Sequence, residues 1–425
     1  MGISLQREVA MLIKNAHIVD PVENLDGVYD LLVKDGKICK IEKNIDVDDE
    51  LIFDANGLIL APSFFDPHTH FRDFGESDKE TFESGAMAAL RGGYTEIVAM
   101  ANTVPPIDSK EMVEEAFKKV KDLPIDIYIS ANVTKSMKGK ELVNFEELLD
   151  MGVIGFTDDG FPLCDINIMR EALKKSRDLK FIISLHEEDP EFIEHPGYDD
   201  TAPREAEVSI IKRDIDLLRE VGGHLHVQHL TSKDGVQLIR DAKAEGLNIT
   251  TEVNPNHLFF TKKDVDKYGT LLKVNPPLRT EEDRLALIDG LRDGTIDMIG
   301  TDHAPHTKEN KEMGKFKSKS GITSLEIAFS MLNMKLIDEA GFSIMDLIIV
   351  LSTNPRALYN KTKAIKIGEP ADFVLIDLNR EYIYDYTLSK SKNTPLLGAK
   401  LKGQIIMTIK DGNVRYNDIN YKKGE

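Results

Sequence analysis

The run Phe65-Asp66-Pro67-His68-Thr69-His70-Phe71-Arg72 sets two imidazoles and a guanidinium on one short extended segment. It follows Leu58-Ile59-Leu60-Ala61-Pro62, an apolar run with the composition of a buried strand. Side chains two apart on a strand share a face, so His68, His70 and Arg72 are expected to project together from a strand's C-terminal end. Neutral imidazoles bind Zn²⁺ and an Arg fork suits a carboxylate, so the suggestion is a metal beside an anion. By itself a His-x-His pair fits hydrogen-bonded edge residues equally well, and the rest of the chain has to decide.

Working outward, seven further strand patterns follow at 95–100, 125–129, 153–156, 181–185, 225–227, 248–253 and 297–300. Helical patterns such as 109–121 and 205–221 separate them. Eight strands alternating with helices predict an α/β fold, a (β/α)8 TIM-like barrel whose active site lies at the C-terminal ends of its strands. The two chain ends read differently. Short β patterns at 11–13, 17–19, 29–33 and 37–41, with a hairpin turn at Asp35-Gly36, are matched by 371–376, 404–409 and a second turn at Asp411-Gly412. Short β segments bury their apolar faces best against each other, which predicts a small β-sandwich domain formed from both chain ends. The expected boundaries are 1–61 and 364–425 for that domain and 62–363 for a metal-dependent barrel catalytic domain.

The polar residues gather at the expected end of the barrel. The fourth strand pattern ends in Thr157-Asp158-Asp159-Gly160, the fifth in His186, the sixth in His229 and the eighth in Thr301-Asp302-His303-Ala304-Pro305-His306. Each has a bland reading: a turn, a satisfied core histidine, a helix N-cap. Five strand ends supplying His or Asp to one point are hard to explain that way. Two metal ions close together need a bridging anion, which Asp158 or Asp159 could supply. His68, His70 and Asp302 would hold one ion, and His186 with His229 the other. A hydroxide activated by zinc is nucleophilic near neutral pH, and Asp302 is the expected proton carrier.

Composition narrows the alternatives. With 425 residues and 41% hydrophobic content, the chain can bury a large core. A formal net charge of −19 argues against sequence-independent nucleic-acid binding. No apolar run is long enough to span a bilayer, and the start Met1–Glu8 has an acidic residue where a leader would be apolar, so a cytoplasmic location is expected. Cys39 and Cys164 are the only cysteines, so a metal site must be built from His and carboxylates.

Taken together, the motifs resemble the dihydroorotases of the amidohydrolase superfamily, of the long barrel-plus-β-sandwich type. They are Asp66-Pro67-His68-Thr69-His70-Phe71-Arg72, Ala101-Asn102-Thr103, Phe156-Thr157-Asp158-Asp159-Gly160, His229-Leu230-Thr231-Ser232, Asn275-Pro276-Pro277-Leu278-Arg279 and Thr301-Asp302-His303-Ala304-Pro305-His306. The resemblance implies reversible cyclisation of N-carbamoyl-L-aspartate to L-dihydroorotate, with loss of water, in pyrimidine biosynthesis. It implies two Zn²⁺ per subunit, ligated by His68, His70 and Asp302 and by His186 and His229, with Asp159 bridging and Asp302 as acid and base. Many superfamily members bridge with a carboxylated lysine, but no lysine lies between Asp150 and Lys174. The resemblance further implies that Arg72, Asn102 and His306 bind the substrate carboxylate and that Asn275 holds the ring. A homo-oligomer or an association with aspartate transcarbamoylase is left open.

Two departures from the family pattern stand out: Asp73-Phe74-Gly75 where Glu-Pro-Gly is common, and the Lys-rich loop 308–321. That loop has few apolar residues and is expected to be loose when the site is empty, closing over an anionic substrate. The competing readings are a hydantoinase or allantoinase using the same metals, and a barrel kept as a non-catalytic scaffold.

Overall fold

A computed structural model describes residues 10–47 and 51–418, and the Met1–Glu8 start lies outside them. The His-x-His run begins in Phe64–Thr69, the first strand of a parallel ring. Tyr94–Ala99 and Asp126–Ile129 follow it in register. On the far side Ile183–Leu185, Leu225–Val227, Ile249–Val253 and Met298–Ile299 form a second parallel arc. Phe156 joins the arcs, bridging Ala131 on one side and Ile183 on the other, and Thr69 closes the ring against His303. These are the eight expected strands in chain order, with helices such as Phe82–Arg91 and Arg204–Val221 outside them. One apolar core, running from Phe64, Ile97 and Ile129 to Leu185, Val227 and Ile299, fills the space within and around the ring.

One detail differs from expectation. The fourth strand is cut to a single bridged residue, although Ile154 N and Thr157 N donate to Ile129 O and Ala131 O at 3.0 and 2.8 Å and Phe156 N donates to Ile182 O at 3.0 Å. The chain enters at Gly152 with φ +98° and leaves through a turn at Gly160 with φ +85°, so few extended residues fit between. The apolar run before the His-x-His pair, in turn, does not belong to the ring. Ile59–Pro62 pairs antiparallel with Phe373–Ile383 and parallel with Met11–Asp20, and only Ser63 separates it from the barrel.

Ile59–Pro62 is therefore the seam of a sheet made from both chain ends. The order across that sheet is Asn413–Asn417, Lys400–Lys410, Phe373–Ile383, Ile59–Pro62, Met11–Asp20, Leu25–Lys34, Lys37–Glu42, with Leu51–Asp54 also on Met11–Asp20. Its own core holds Ile13, Ile18, Leu31, Leu60, Phe373, Leu375 and Ile406. The two Asp-Gly turns have φ of +52° and +74° at 35–36 and +50° and +72° at 411–412, as tight hairpins demand. They abut, since a Cβ on Gly412 would meet Gly36 Cα at 2.5 Å.

A buried ion network ties the start of the ring to the last helices. Arg356, 1% exposed, donates from Nε to Glu96 Oε2 at 2.7 Å and from Nη1 to Ser63 O at 2.7 Å. Lys363 Nζ lies 3.0 Å from the same Glu96 oxygen. Burial pushes the Glu96 carboxyl up, but Arg356 and Lys363 outweigh it and hold it down at about 2. A depressed folded pKa stabilises above the unfolded value of about 4.3, and that contribution fades as pH falls towards the folded one. Glu96→Gln should therefore cost on the order of 3 kcal/mol at neutral pH. Thermal melts from about pH 5 to about pH 2 should show the gap to wild type closing, and a gap that stays constant would remove this role from Glu96.

Candidate metal centre

The ring's seam brings the first and eighth strands' polar ends together. Asp66 accepts from Thr301 N at 3.0 Å, from Thr301 Oγ1 and from His68 N at 3.2 Å. Asp302 N then donates to His68 O at 3.0 Å and His70 N to His303 O at 2.9 Å. With the backbones so registered, His68 Nε2 and His70 Nε2 lie 3.3 Å apart, and Asp302 Oδ1 is 3.0 Å from His70 Nε2 and 3.7 Å from His68 Nε2.

Asp159 stands between two groups of nitrogens. Its Oδ2 is 3.2 Å from His70 Nε2, and its Oδ1 is 3.7 Å from both His68 Nε2 and His229 Nε2. His186 Nδ1 lies 3.0 Å from His229 Nε2. The ligand atoms of His68, His70 and Asp159 fall within 4.8 Å of one another, as do those of Asp159, His186 and His229, so Asp159 is common to both groups. Asp158, the alternative bridge, faces elsewhere: it accepts from Val133 N at 2.9 Å, Thr134 N at 3.2 Å and Thr134 Oγ1. Burial pushes the Asp159 and Asp302 carboxyls up, but the neighbouring imidazoles more than offset it and both stay below the usual carboxylate range.

The outer nitrogen is spoken for in three of the four rings, and only His229 Nδ1 has no partner among the described residues. His68 Nδ1 meets Glu252 Oε1, His70 Nδ1 lies 3.0 Å from Asn102 Oδ1, and His186 Nε2 lies 2.9 Å from Glu188 Oε2. When a ring donates outward its inner nitrogen carries the lone pair. The inner lone pairs of His68 and His70, 3.3 Å apart, repel unless a cation sits between them, so this donor set fits metal ions. Backbone strain marks the same place: His229 and Asp302 have φ of +31° and +47°, unusual for residues with a Cβ.

Glu252 and Glu188 escaped the sequence reading. Glu252 also reaches His226 Nε2 at 3.4 Å, and a Cβ on Gly300 would fall 2.3 Å from its Oε2. Its signal was available, because a glutamate inside Ile249–Val253, a strand of a ring covered on both faces, has no bland place to go.

The expected substrate residues are less uniform. Arg72 and Asn275 line a cavity of about 120 Å³ together with His70, Asn102, Asp302 and Gly321. Arg72 Nε donates to Pro305 O at 3.3 Å, and Asn275 Oδ1 accepts from Ser320 Oγ at 3.0 Å. The Asn102 amide is engaged at both ends, with Nδ2 3.2 Å from Asp159 Oδ2. His306 lies against Gly321, where a Cβ would be 3.1 Å from its Cδ2, and its Nε2 donates to Ser320 O at 2.8 Å. Burial, with Arg72, Lys79 and Lys311 nearby, holds its imidazole down at about 2, so it is neutral.

The expectation of a loose loop at 308–321 is overturned. Lys311 is 3% exposed, and its Nζ donates to Lys319 O and Gly321 O, each at 2.9 Å, and to Lys273 O at 3.3 Å. Lys273 Nζ donates to Phe316 O and Ser318 O at 2.9 and 2.8 Å, while the Phe316 ring packs 4.1 Å from that of His195. Lysine stems supply the packing that the loop's few apolar residues cannot, and their ammonium heads satisfy its inward carbonyls.

Comparisons with known proteins agree with this architecture. The model of the amidohydrolase family matches residues 59–415. A dihydroorotase of Aquifex aeolicus (strain VF5) is 42% identical over 96% of this chain and 99% of its own length. One from Clostridioides difficile (strain 630) is 40% identical over 96% of this chain and 100% of its own. Among solved structures, the L-hydantoinase of Arthrobacter aurescens superposes with a TM-score of 0.87 at 26% identity, covering 96% of each chain. By family model, relatives and barrel alike, the chain belongs to the amidohydrolase family.

Proposed function

We propose that this enzyme is a dihydroorotase, interconverting N-carbamoyl-L-aspartate and L-dihydroorotate in pyrimidine biosynthesis. The observation that carries the reading is Arg72 in the wall of the same small cavity as the His and Asp cluster. A hydantoin has no carboxylate for that guanidinium to meet, whereas dihydroorotate has one. The full-length relatives bear the same name.

Two Zn²⁺ are proposed, one with His68, His70 and Asp302, the other with His186 and His229, and Asp159 between them. When bound they would polarise the ring amide carbonyl and acidify a water. The protein's own contribution starts from Arg72, which grips the free carboxylate and so fixes the ring's orientation, with Asn275 on the ring. Asn102 and His306 act through their neighbours, Asn102 by orienting His70 and Asp159 and His306 by holding Ser320 O. Asp302, held by Asn254 Nδ2 at 3.2 Å, takes the proton that water releases on adding to the ring carbon. It returns that proton to the ring nitrogen as the C–N bond breaks, and the same group runs the steps backwards for cyclisation. Residues 1–61 and 364–425 are read as one β domain and 62–363 as the catalytic one, acting in the cytoplasm. Gel filtration alone and with aspartate transcarbamoylase tests for a homo-oligomer or that association.

Purified enzyme should turn over dihydroorotate and carry about two equivalents of zinc, with hydantoin and allantoin poor substrates. Preference for hydantoin would make it a hydantoinase, and neither zinc nor turnover would make it a scaffold. Asp159→Ala should lose the second zinc by elemental analysis. Metal-stripped wild type should recover on adding zinc without bicarbonate, and a strict bicarbonate requirement would contradict the aspartate bridge. Arg72→Lys should raise KM for dihydroorotate by about thirtyfold to a thousandfold, a loss of roughly 2–4 kcal/mol, with zinc content unchanged. Lost zinc with unchanged KM would make Arg72 a structural residue.

A further inference from the structure

The strands Phe373–Ile383 and Lys400–Lys410 pair along most of their length, yet the segment joining them, 384–399, leaves the end sheet and lies along the barrel's mouth. Ser389 Oγ donates to Glu80 Oε2, Lys390 N to Glu80 Oε1 at 3.1 Å and Ser391 Oγ to Lys79 O at 2.7 Å. Two residues on comes Asn393, 3% exposed. Its Oδ1 accepts from His306 N at 3.0 Å, and its Nδ2 donates to Ala304 O at 2.9 Å and Gly321 O at 3.1 Å. Both donors of the amide and one acceptor lone pair are thus used on backbone.

Those three backbone groups belong to two turns. The turn 304–306 also receives Arg72 Nε at Pro305 O, and the turn 320–321 receives His306 Nε2 and presents Ser320 Oγ to Asn275. The turns touch, since a Cβ on Gly321 would lie 2.7 Å from Ala304 Cβ. One amide therefore ties together the supports of Arg72 and Asn275, while the outer partners of the clustered imidazoles are Glu252, Asn102 and Glu188. We infer that Asn393, delivered by the end sheet's long connection, is a positioning residue that sets the carboxylate-binding side of the site by locking turns 304–306 and 320–321 together. The inference rests on the dihydroorotase reading and adds to it that the β domain shapes substrate affinity. An aspartate of the same size keeps the acceptor for His306 N but turns both donors into an oxygen facing two carbonyls, so the lock opens.

The test is steady-state kinetics on zinc-loaded, full-length enzyme with dihydroorotate, alongside zinc content and thermal melts. Asn393→Asp should raise KM about tenfold or more while kcat stays within about threefold and zinc content is unchanged. Ser391→Ala, which loosens the same segment without touching either turn, should leave KM near the wild-type value. If Asn393→Asp does not fold, Asn393→Ser enters the same assay and is judged by the same criteria. An unchanged KM, a loss confined to kcat together with zinc, or an equal KM shift in Ser391→Ala would each overturn the positioning role. Wild-type enzyme that ignores dihydroorotate would instead overturn the assigned reaction, and is told apart because it is seen before any variant is made.

Discussion

Closure of the strand ring between its first and last strands is the constraint on which the remainder hangs, and Asp66 holds that seam. Its carboxylate takes two bonds from Thr301 and one from the His68 amide. Burial pushes its carboxyl up to about 7, with the Thr301 bonds opposing the rise. Backbone bonds from Asp302 N to His68 O and from His70 N to His303 O complete the register that sets His68 and His70 on one strand beside Asp302 on another. The seam therefore fixes both topology and site in one set of bonds.

Around the cluster, orientation is bought by buried partners rather than by the clustered residues themselves. Glu252, Asn102 and Glu188 each address the outer nitrogen of one imidazole, and Asn254 addresses Asp302. These partners sit on different strands and loops, so a ring's tilt is set by the whole barrel rather than by its own backbone. The positive φ at His229 and Asp302 is the local expense of aiming both side chains inward.

The mouth of the barrel obeys different physics. Tyr384 and Leu396 of its long connection pack with Leu272, Val274 and Ile322 in a small apolar cluster, and the polar stretches between are ordered by side chains that end in hydrogen-bonding heads. Lys311 and Lys273 gather the carbonyls of 316–321, and Asn393 reaches from the end sheet to join that turn to 304–306. Burial, and the charge of Lys273 beside it, bring the Lys311 ammonium down to about 7. The connection between the last two long strands of the end sheet is thereby bonded to the Arg72 side of the cavity.

Sequence alone determined the alternation of eight strands with helices, the pairing of β segments from the two ends and the set of His and Asp residues at the strand tips. Each is a local signal: periodicity, a turn dipeptide, or a polar group where an apolar run stops. Between Asp158 and Asp159 spacing could not choose, because adjacent residues on a turn differ only in where the fold points them; the loop of Val133 and Thr134 occupies Asp158 and leaves Asp159 to the imidazoles. The expected boundaries put Leu58–Ala61 with the chain ends, but which strands flank it, Phe373–Ile383 and Met11–Asp20, was equally closed to sequence, since a buried apolar strand reads the same beside any neighbour. The order of loop 308–321 was invisible for a related reason. A lysine looks solvated in sequence, and only a tertiary cage of carbonyls, drawn from Lys273, Lys319 and Gly321, makes a buried ammonium a packing element.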